Sequence, residues 1–300
     1  MTRVVPPSER RNPRTVDIDT LESRDILRLL HDEDAQAVKA VGAATDQLAR
    51  AVDEAHRRLS RGGTVHYFGA GASGRLAVLD ATEITPTFGA ARDLFTAHFA
   101  GGVAAVADSS IDREDSEALG VADADVLDET SVAIGITASG STPYVAGALR
   151  TAQTAGALTV LVTCNPDAPL RELAEIWVVA ATGPEALTGS TRLKAGTATK
   201  VILNSFSTAL MIKAGRTYSN LMVGLVATNA KLSERAVSLL VDATDDDEAT
   251  CRTVLTEAGG KIPEALVRLL TGCSPEQART ALGTHPGVRA AVAALGGHAR

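Results

Sequence analysis

A glycine-rich loop with the sequence GAGASGR, at residues 69–75, is the first feature that could do chemistry. It follows a short apolar run and precedes a helical pattern, so its backbone N–H groups could meet an anion at a helix N-terminus. The candidate binding residues are Gly71, Ser73 and Gly74. The loop also fits the dinucleotide pattern G-x-G-x-x-G, but the next strand ends without the carboxylate that would hold a ribose. An NAD enzyme is therefore disfavoured, and a tight turn without a ligand stays an alternative.

A second loop, TASGST at residues 137–142, has four hydroxyl groups in six residues and again lies between a strand and a helix. Hydroxyls and backbone amides can bind phosphate without net positive charge. Thr142 could instead simply cap the helix that Pro143 begins. Ligands of parallel α/β sheets bind at the carboxyl ends of strands, so two such loops favour an anion site. The candidate ligands here are Thr137, Ser139, Gly140, Ser141 and Thr142.

A third polar segment, TGSTRLK at residues 188–194, opens a long helical pattern. It adds Ser190, Thr191 and Lys194 to the candidate substrate-binding residues. Cations in the first turn of a helix oppose the helix dipole, and a bound anion would remove that conflict. The alternative is that Arg192 and Lys194 reach acidic side chains of the protein. The segment is no P-loop, because G-x-x-x-x-G-K-[ST] does not occur.

Two glutamates are candidates for proton transfer. Glu83 is expected just past the helix that begins at Ser73, and Glu114 lies in the string DREDSE. Carboxylates in different environments suit general acid and general base roles. Spacing alone does not separate these two from solvated acids. The six histidines and three cysteines show no metal-ligand spacing, so no metal site is expected.

The elements that must position these residues alternate between apolar strands and helices. Five nearly continuous Val/Ile/Leu/Phe runs between residues 64 and 182 predict a parallel sheet covered on both faces. Before them we expect an extended arm at residues 1–19 and helices over about 20–32 and 34–60. From about Thr191 the pattern is helical to the end. The expected domains are residues 1–52, 53–218 and 219–300.

Composition excludes several function classes. A chain of 300 residues with 45% hydrophobic residues can bury a core without a disulfide or metal. Its net charge of −7 and its 3% aromatic residues disfavour nucleic-acid binding. No apolar run is long enough for a membrane span, and the N-terminus does not resemble a signal peptide. We therefore expect a cytoplasmic protein with no nucleic-acid or membrane partner.

Longer strings resemble the N-acetylmuramic acid 6-phosphate etherases of the sugar isomerase (SIS) superfamily. The resemblance extends from about residue 9 to 236 and more loosely to the C-terminus. It is carried by HYFGAGASGRLAVLDATEITPTFG, TASGSTPYVAGAL, TGSTRLKAGTATKVILNSFSTALMIK and NLMVGLVATNAKLSERA.

The resemblance implies a fold, a reaction and residue roles. The fold would be a SIS-type three-layer αβα sandwich with a five-stranded parallel sheet, an N-terminal helical arm and a C-terminal all-helical region. The protein would be a cofactor-free carbon–oxygen lyase of amino-sugar catabolism and peptidoglycan recycling. It would release D-lactate from a phosphorylated amino sugar and would act as a homodimer. Glu83 would be the proton donor, Glu114 the second catalytic glutamate, and Ser73, Ser139 and Thr142 the phosphate ligands.

Two departures from the family pattern lie in the loops. Ala72 stands where Thr is usual, and Ser141 stands where Arg is usual. The loss of an Arg beside a phosphosugar site could alter affinity or substrate choice. The alternatives to an etherase are a non-catalytic phosphosugar-binding regulatory protein and an aldose–ketose isomerase.

Overall fold

Five parallel strands form the central sheet, in the spatial order β2-β1-β3-β4-β5. The computed structural model describes residues 6–224 and 230–297. Most strand residues are buried, since helices cover both faces, and the predicted α/β fold class is confirmed. The strands are β1 (Val65–Gly69), β2 (Phe95–Phe99), β3 (Val132–Ile136), β4 (Leu158–Thr163) and β5 (Ile176–Val179).

Helices connect these strands and make up most of the C-terminal part of the described chain. Short 3₁₀ helices cover Pro7–Glu9, Ile18–Thr20 and Pro169–Leu173. The α-helices are α1 (Ser23–Gly42), α2 (Thr45–Leu59), α3 (Gly71–Phe88), α4 (Gly102–Ala107), α5 (Glu117–Asp123), α6 (Pro143–Thr154), α7 (Lys194–Lys213), α8 (Ala230–Thr244), α9 (Glu248–Glu257), α10 (Ile262–Thr271), α11 (Pro275–Thr284) and α12 (Gly287–Ala294).

Two consecutive residues of β1 define the outer layers, because successive strand residues point to opposite faces. Phe68 is fully buried in a hydrophobic cluster that also contains Tyr144, Val145 and Leu149 of α6. Tyr67 is also fully buried, and its hydroxyl donates to the Asp80 carboxylate of α3 over 2.8 Å. Ser207 of α7 donates to the same carboxylate over 3.0 Å. The sheet is therefore a middle layer between α6 and the α3–α7 side.

The first two helices differ from the prediction. A break was expected near residues 32–34, but α1 continues through them and ends at Gly42. Glu33 lies between the two expected helices, and its carboxylate is buried and paired with distant cations. The observed break comes at residues 43–44, where the Thr45 hydroxyl donates to the carbonyl of Gly42 over 2.8 Å.

The N-terminal arm and the C-terminal part also need correction. The arm is not simply extended, since it contains two 3₁₀ helices and docks through Thr15, which donates to the carbonyl of Ala186 over 2.8 Å. The region after Thr191 is not wholly helical, because short antiparallel strands β6 (Thr217–Tyr218) and β7 (Leu221–Met222) follow α7. Helix α7 itself begins at Lys194 rather than near Thr191.

The chain divides into two compact units. Unit 1 comprises residues 1–82 and 93–207 and contains the five-stranded sheet; unit 2 comprises residues 83–92 and 208–300. Unit 2 has its own core, to which α8, α10 and α12 contribute Leu240, Leu266 and Val292. The expected limits at residues 52/53 and 218/219 stay predictions. Within the described ranges, no helix combines the length and apolar character needed to cross a membrane.

Candidate functional site

The two hydroxyl and glycine loops lie side by side at the carboxyl edge of the sheet. Strands β1 and β3 are neighbours, with Gly69 opposite Ile136 at their ends. The chain leaves β1 toward β2 on one side and leaves β3 toward β4 on the other. The point between them is therefore the switch point of the sheet, where open α/β sheets bind ligands. The sequence predicted both loops, and the strand order brings them together.

Close packing at two glycines shapes the first loop. A Cβ at Gly69 would lie 2.9 Å from the Gly74 backbone, and a Cβ at Gly74 would lie 2.6 Å from both the Gly69 oxygen and the Phe99 ring. Helix α3 can therefore begin directly against the end of β1, starting at Gly71 with φ +52°. Ser73 lies half-buried in its first turn. This geometry places the N-terminus of α3 at the switch point, as an anion site requires.

A chain of hydroxyl groups builds the second loop. The Thr137 and Thr142 hydroxyls are 2.8 Å apart, and the Ser139 and Ser141 hydroxyls are 2.9 Å apart. Thr142 is the residue before α6, but its side chain makes no capping hydrogen bond. Simple capping therefore does not explain the Thr142 hydroxyl, whose side chain is half-buried in the loop.

Contacts to the next loop hold the backbone of the second loop in place. Gly140 has φ +72°, and a Cβ there would lie 2.3 Å from the Ala168 Cβ. The Asn165 side-chain amide donates to the Ser139 carbonyl over 2.8 Å. The contacts with Ala168 and Asn165 thus fix the backbone of the loop, while Ser141 remains exposed. A preorganised loop of this kind loses little entropy when it binds a ligand.

Glu114 is an exposed residue that lines a small cavity beside the first loop. The cavity has a volume of about 150 Å³ and includes Gly71 and Arg113 in its lining. Partial burial of its carboxyl raises the pKa of Glu114, and the nearby negative charges of Asp112 and Asp115 raise the pKa further. A carboxylate with a raised pKa is a stronger base once ionised. The cavity therefore joins a candidate base to a candidate anion loop within unit 1.

The environment of Lys194 differs from the predicted one. Its side chain is 1% exposed, and its Nζ lies 2.5 Å from a carboxylate oxygen of Glu33. Burial alone would raise the pKa of Glu33, but hydrogen bonds from Arg14 and Lys194 lower it to about 2. The Lys194 backbone N–H donates to Glu185 over 2.9 Å, so a protein carboxylate already meets the start of α7. The Lys194 ammonium is thus engaged inside the protein, as in the alternative that it reaches an acidic side chain, and its role in substrate binding stays a prediction.

Two further predicted residues lie near Lys194. Ser190 and Thr191 form the turn before α7, and both are half-buried. Neither belongs to the lining of the Glu114 cavity. Their role in substrate binding stays a prediction.

Glu83 lies within α3 rather than just past it, because the helix continues to Phe88 and includes Pro86. Its side chain is exposed, and the residue belongs to unit 2. Pro86 has no N–H to donate to the carbonyl of Thr82, which lies four residues earlier. The Thr82 hydroxyl itself donates to the Val78 carbonyl over 2.8 Å.

A larger cavity, of about 650 Å³, lies in unit 2 and contains none of the predicted site residues. Its lining includes Arg216, Lys261, His285 and the ion pair of buried Glu264 with exposed Arg279. Volume alone does not identify a site, and the loops and Glu114 are the groups with matching chemistry. In the described residues, no group of three or more His, Cys, Asp or Glu side chains is arranged to hold a metal ion.

Sequence reasoning missed two arginines of the Glu114 cavity. Arg75 donates to the carbonyls of Val106 and Ala105 over 2.7 and 3.1 Å, so it holds the chain that follows β2. Arg113 lines the same cavity as its neighbour Glu114. Arg113 is visible in the string DRED, but nothing in the sequence indicates that it lines a cavity together with Gly71 of the first loop.

The fold and the switch-point loops define an α/β domain of the sugar isomerase class. A family model described as "Glucokinase regulatory protein N-terminal SIS domain" matches residues 47–153. The structure of a phosphoheptose isomerase from Francisella tularensis has the same fold, with a TM-score of 0.51. It is 18% identical, and the match covers 63% of this chain and 98% of that one.

Within that class, the chain belongs to the N-acetylmuramic acid 6-phosphate etherase family. It is 53% identical to the N-acetylmuramic acid 6-phosphate etherase of Thermobifida fusca, over 88% of this chain and 87% of the relative. It is 45% identical to N-acetylmuramic acid 6-phosphate etherase 2 of Vibrio cholerae, over 93% and 92%. The recognised strings include residues 225–229, which lie outside the described residues.

Proposed function

We propose that this protein cleaves the D-lactyl ether of N-acetylmuramic acid 6-phosphate, giving N-acetylglucosamine 6-phosphate and D-lactate. One observation carries the proposal: Glu114 shares a cavity with Gly71 of the first loop, and both loops flank one switch point. A phosphate site beside a carboxylate base is what a phosphosugar lyase needs. The names of the relatives support the same reaction.

The open-chain form of the sugar offers a route through this unactivated ether. Its C1 aldehyde makes the C2 proton acidic, and the lactyl oxygen on C3 is β to that carbonyl. A base removes the C2 proton, the C3–O bond breaks, and an acid protonates the departing lactate oxygen. Water then adds at C3, and C2 regains a proton. The reaction needs two proton-transfer groups and no net oxidation or reduction.

Glu114 is the proposed C2 base. It must be ionised to accept a proton, and its raised pKa makes it a better acceptor in that state. Glu83 is the proposed proton donor to the leaving oxygen. That role is taken from the family resemblance alone.

The two loops are the proposed anchor for the 6-phosphate. Ser73 and Thr142 offer hydroxyl donors, and the first turns of α3 and α6 offer backbone N–H groups. Hydroxyl and amide donors can bind phosphate even in a chain whose net charge is −7. An anchored phosphate would hold C2 and C3 within reach of Glu114. Such orientation of the reacting atoms lowers the activation barrier.

A direct test is incubation of the protein with N-acetylmuramic acid 6-phosphate and enzymatic detection of D-lactate. The Glu114→Gln variant should release lactate about 10²- to 10⁴-fold more slowly. Glu129→Gln is a matched control, since Glu129 is an exposed residue shortly before β3, at the opposite edge of the sheet. The proposal would be refuted if neither the unaltered protein nor the control variant released lactate.

A second candidate function is regulatory binding of a sugar phosphate without catalysis. The family model that matches residues 47–153 carries the name of a regulatory protein, which is the observation in its favour. Such a protein would bind N-acetylmuramic acid 6-phosphate in calorimetry and leave it intact. An isomerase would exchange the C2 proton and form a ketose without lactate. The product mixture distinguishes all three.

The proposed working form is a cytoplasmic homodimer. Leu27 and Val38 on α1 are 54% and 53% exposed, which supports burial of this helix against a second copy. Sedimentation at micromolar concentration should give twice the chain mass of 30.9 kDa. A monomer would remove the dimer from the proposal and leave the reaction unaffected.

A further inference from the structure

The lining of the Glu114 cavity includes an exposed cation that no other described residue pairs with. Arg75 and Arg113 both line it. Arg75 is committed to backbone carbonyls at 105 and 106. The guanidinium of Arg113 makes no hydrogen bond or ion pair with any part of the chain that the structure describes. In a chain of net charge −7, a cation on the lining of the candidate cavity that no described residue pairs with points to an anionic ligand group.

Among the described residues, Arg113 forms no ion pair with its acidic neighbours Asp112, Glu114 and Asp115. Asp112 turns back on the chain, where its carboxylate accepts a hydrogen bond of 3.1 Å from the Glu114 backbone N–H. The Arg113 Cγ would lie 3.4 Å from a Cβ at Gly101, so the aliphatic stem runs along the start of α4. The stem is thereby placed, while the guanidinium remains available for a planar anion such as a carboxylate.

The proposed substrate has two anionic groups. Their positions on the sugar decide which of them lies nearer to Arg113. The phosphate is on C6, and the hydroxyl loops account for it. The carboxylate belongs to the lactyl group on C3. Glu114 must reach C2, which is adjacent to C3. Arg113 is the next residue to Glu114 and lines the same small cavity, so the C3 substituent is the nearer anion.

We propose that Arg113 binds the lactyl carboxylate of the substrate and so helps the site distinguish it from the product sugar. The inference rests on the proposed function. Arginine binds carboxylates through two parallel N–H donors, and a hydrogen bond to a charged group is worth more than a neutral one. The site would then have separate contacts for the two ends of the substrate.

The test compares the substrate with N-acetylglucosamine 6-phosphate, which keeps the phosphate and lacks the carboxylate. Arg113→Ala should lower kcat/KM for N-acetylmuramic acid 6-phosphate roughly 10- to 100-fold. Inhibition by N-acetylglucosamine 6-phosphate should stay unchanged. Arg113→Lys should recover part of the loss, since it restores the charge without the planar pair of donors. Arg61→Ala is the matched control, because Arg61 is an exposed arginine just before β1, at the opposite sheet edge.

Two results would overturn the inference. An unchanged kcat/KM in Arg113→Ala would show that the cation makes no productive contact. Equal weakening of substrate and N-acetylglucosamine 6-phosphate would assign Arg113 to the phosphate. Failure of the proposed function gives a different result, namely no lactate from the unaltered protein. Circular dichroism of each variant should show an intact fold, because Arg113 is exposed.

Discussion

The backbone carbonyl of Glu114 accepts a hydrogen bond of 3.0 Å from the backbone N–H of Tyr144, in the first turn of α6. The second hydroxyl loop ends at Thr142, one residue before that helix. The bond thus joins the segment of the candidate base to the loop proposed to hold phosphate. A shift of the Glu114 segment would therefore also move the second loop. The hydrogen bond thus helps to keep the distance between the candidate base and the candidate phosphate loop constant.

The first prediction concerns pH. Burial and two neighbouring aspartates raise the pKa of Glu114, and a base works only when ionised. The value of kcat/KM should therefore fall with decreasing pH at a point above the usual glutamate pKa of 4.5. A pH profile of lactate release measures this. An acid limb at or below 4.5 would argue against Glu114 as the base.

The second prediction separates the two glutamates by reaction step. In heavy water, Glu83→Gln should still exchange the C2 proton of the substrate but release little lactate. Glu114→Gln should lose both exchange and release, because Gln keeps the size of the side chain and cannot accept the proton. NMR of the C2 position follows the exchange. The opposite pattern would swap the roles, and near-normal lactate release by both variants would end the two-carboxylate mechanism.

The third prediction concerns the Thr142 hydroxyl. Thr142→Val keeps the shape of the side chain and removes the donor, so the KM for the phosphosugar should rise about 10-fold or more. The rate at saturation should change less. Thr154→Val, at the other end of α6, is the control, since its hydroxyl bonds only to the Arg150 carbonyl among described residues. Equal kinetics for both variants would exclude Thr142 from the anchor.

The fourth prediction concerns the buried pair of Lys194 and Glu33. Lys194→Met leaves the Glu33 carboxylate with fewer partners and should lower the free energy of unfolding by about 3–5 kcal/mol. Lys200→Met, an exposed change on the same helix, should stay within about 0.5 kcal/mol. Urea unfolding measures both. Unchanged stability with weakened substrate binding would instead return Lys194 to the substrate site.

Acid should weaken the same pair. The pKa of Glu33 is lowered from 4.5 to about 2, so the folded state favours the ionised form. Its contribution to stability is full above 4.5 and is lost as the pH falls from 4.5 toward 2. The Glu33→Gln variant should lack this part of the acid dependence, which unfolding curves at several pH values would reveal.

The sequence was sufficient for the five strands of the central sheet and for the loops. Each of these strands is a short apolar run followed by small residues, a pattern that depends only on local composition. The adjacency of the first and second loops depends on strand order. Order arises from packing of helices on the sheet, and no local pattern encodes it.

Long-range ion pairs explain where the structure differs from the interpretation of single segments. Within its own segment Lys194 has the chemistry of an anion ligand, and Glu33 lies between two expected helices. They are 161 residues apart and satisfy each other in the fold. Glu114 could be named only through the family resemblance, because the burial that most raises its pKa is a property of the fold and not of the sequence.

The most direct test of the account follows oxygen during the reaction in water enriched in ¹⁸O. Elimination and water addition break the C3–O bond, so D-lactate should form without label. One ¹⁸O should appear in the C3 hydroxyl of N-acetylglucosamine 6-phosphate, in equal molar amount, by mass spectrometry of both products. Label in the lactate hydroxyl would contradict the elimination, and the absence of lactate would contradict the proposed function itself.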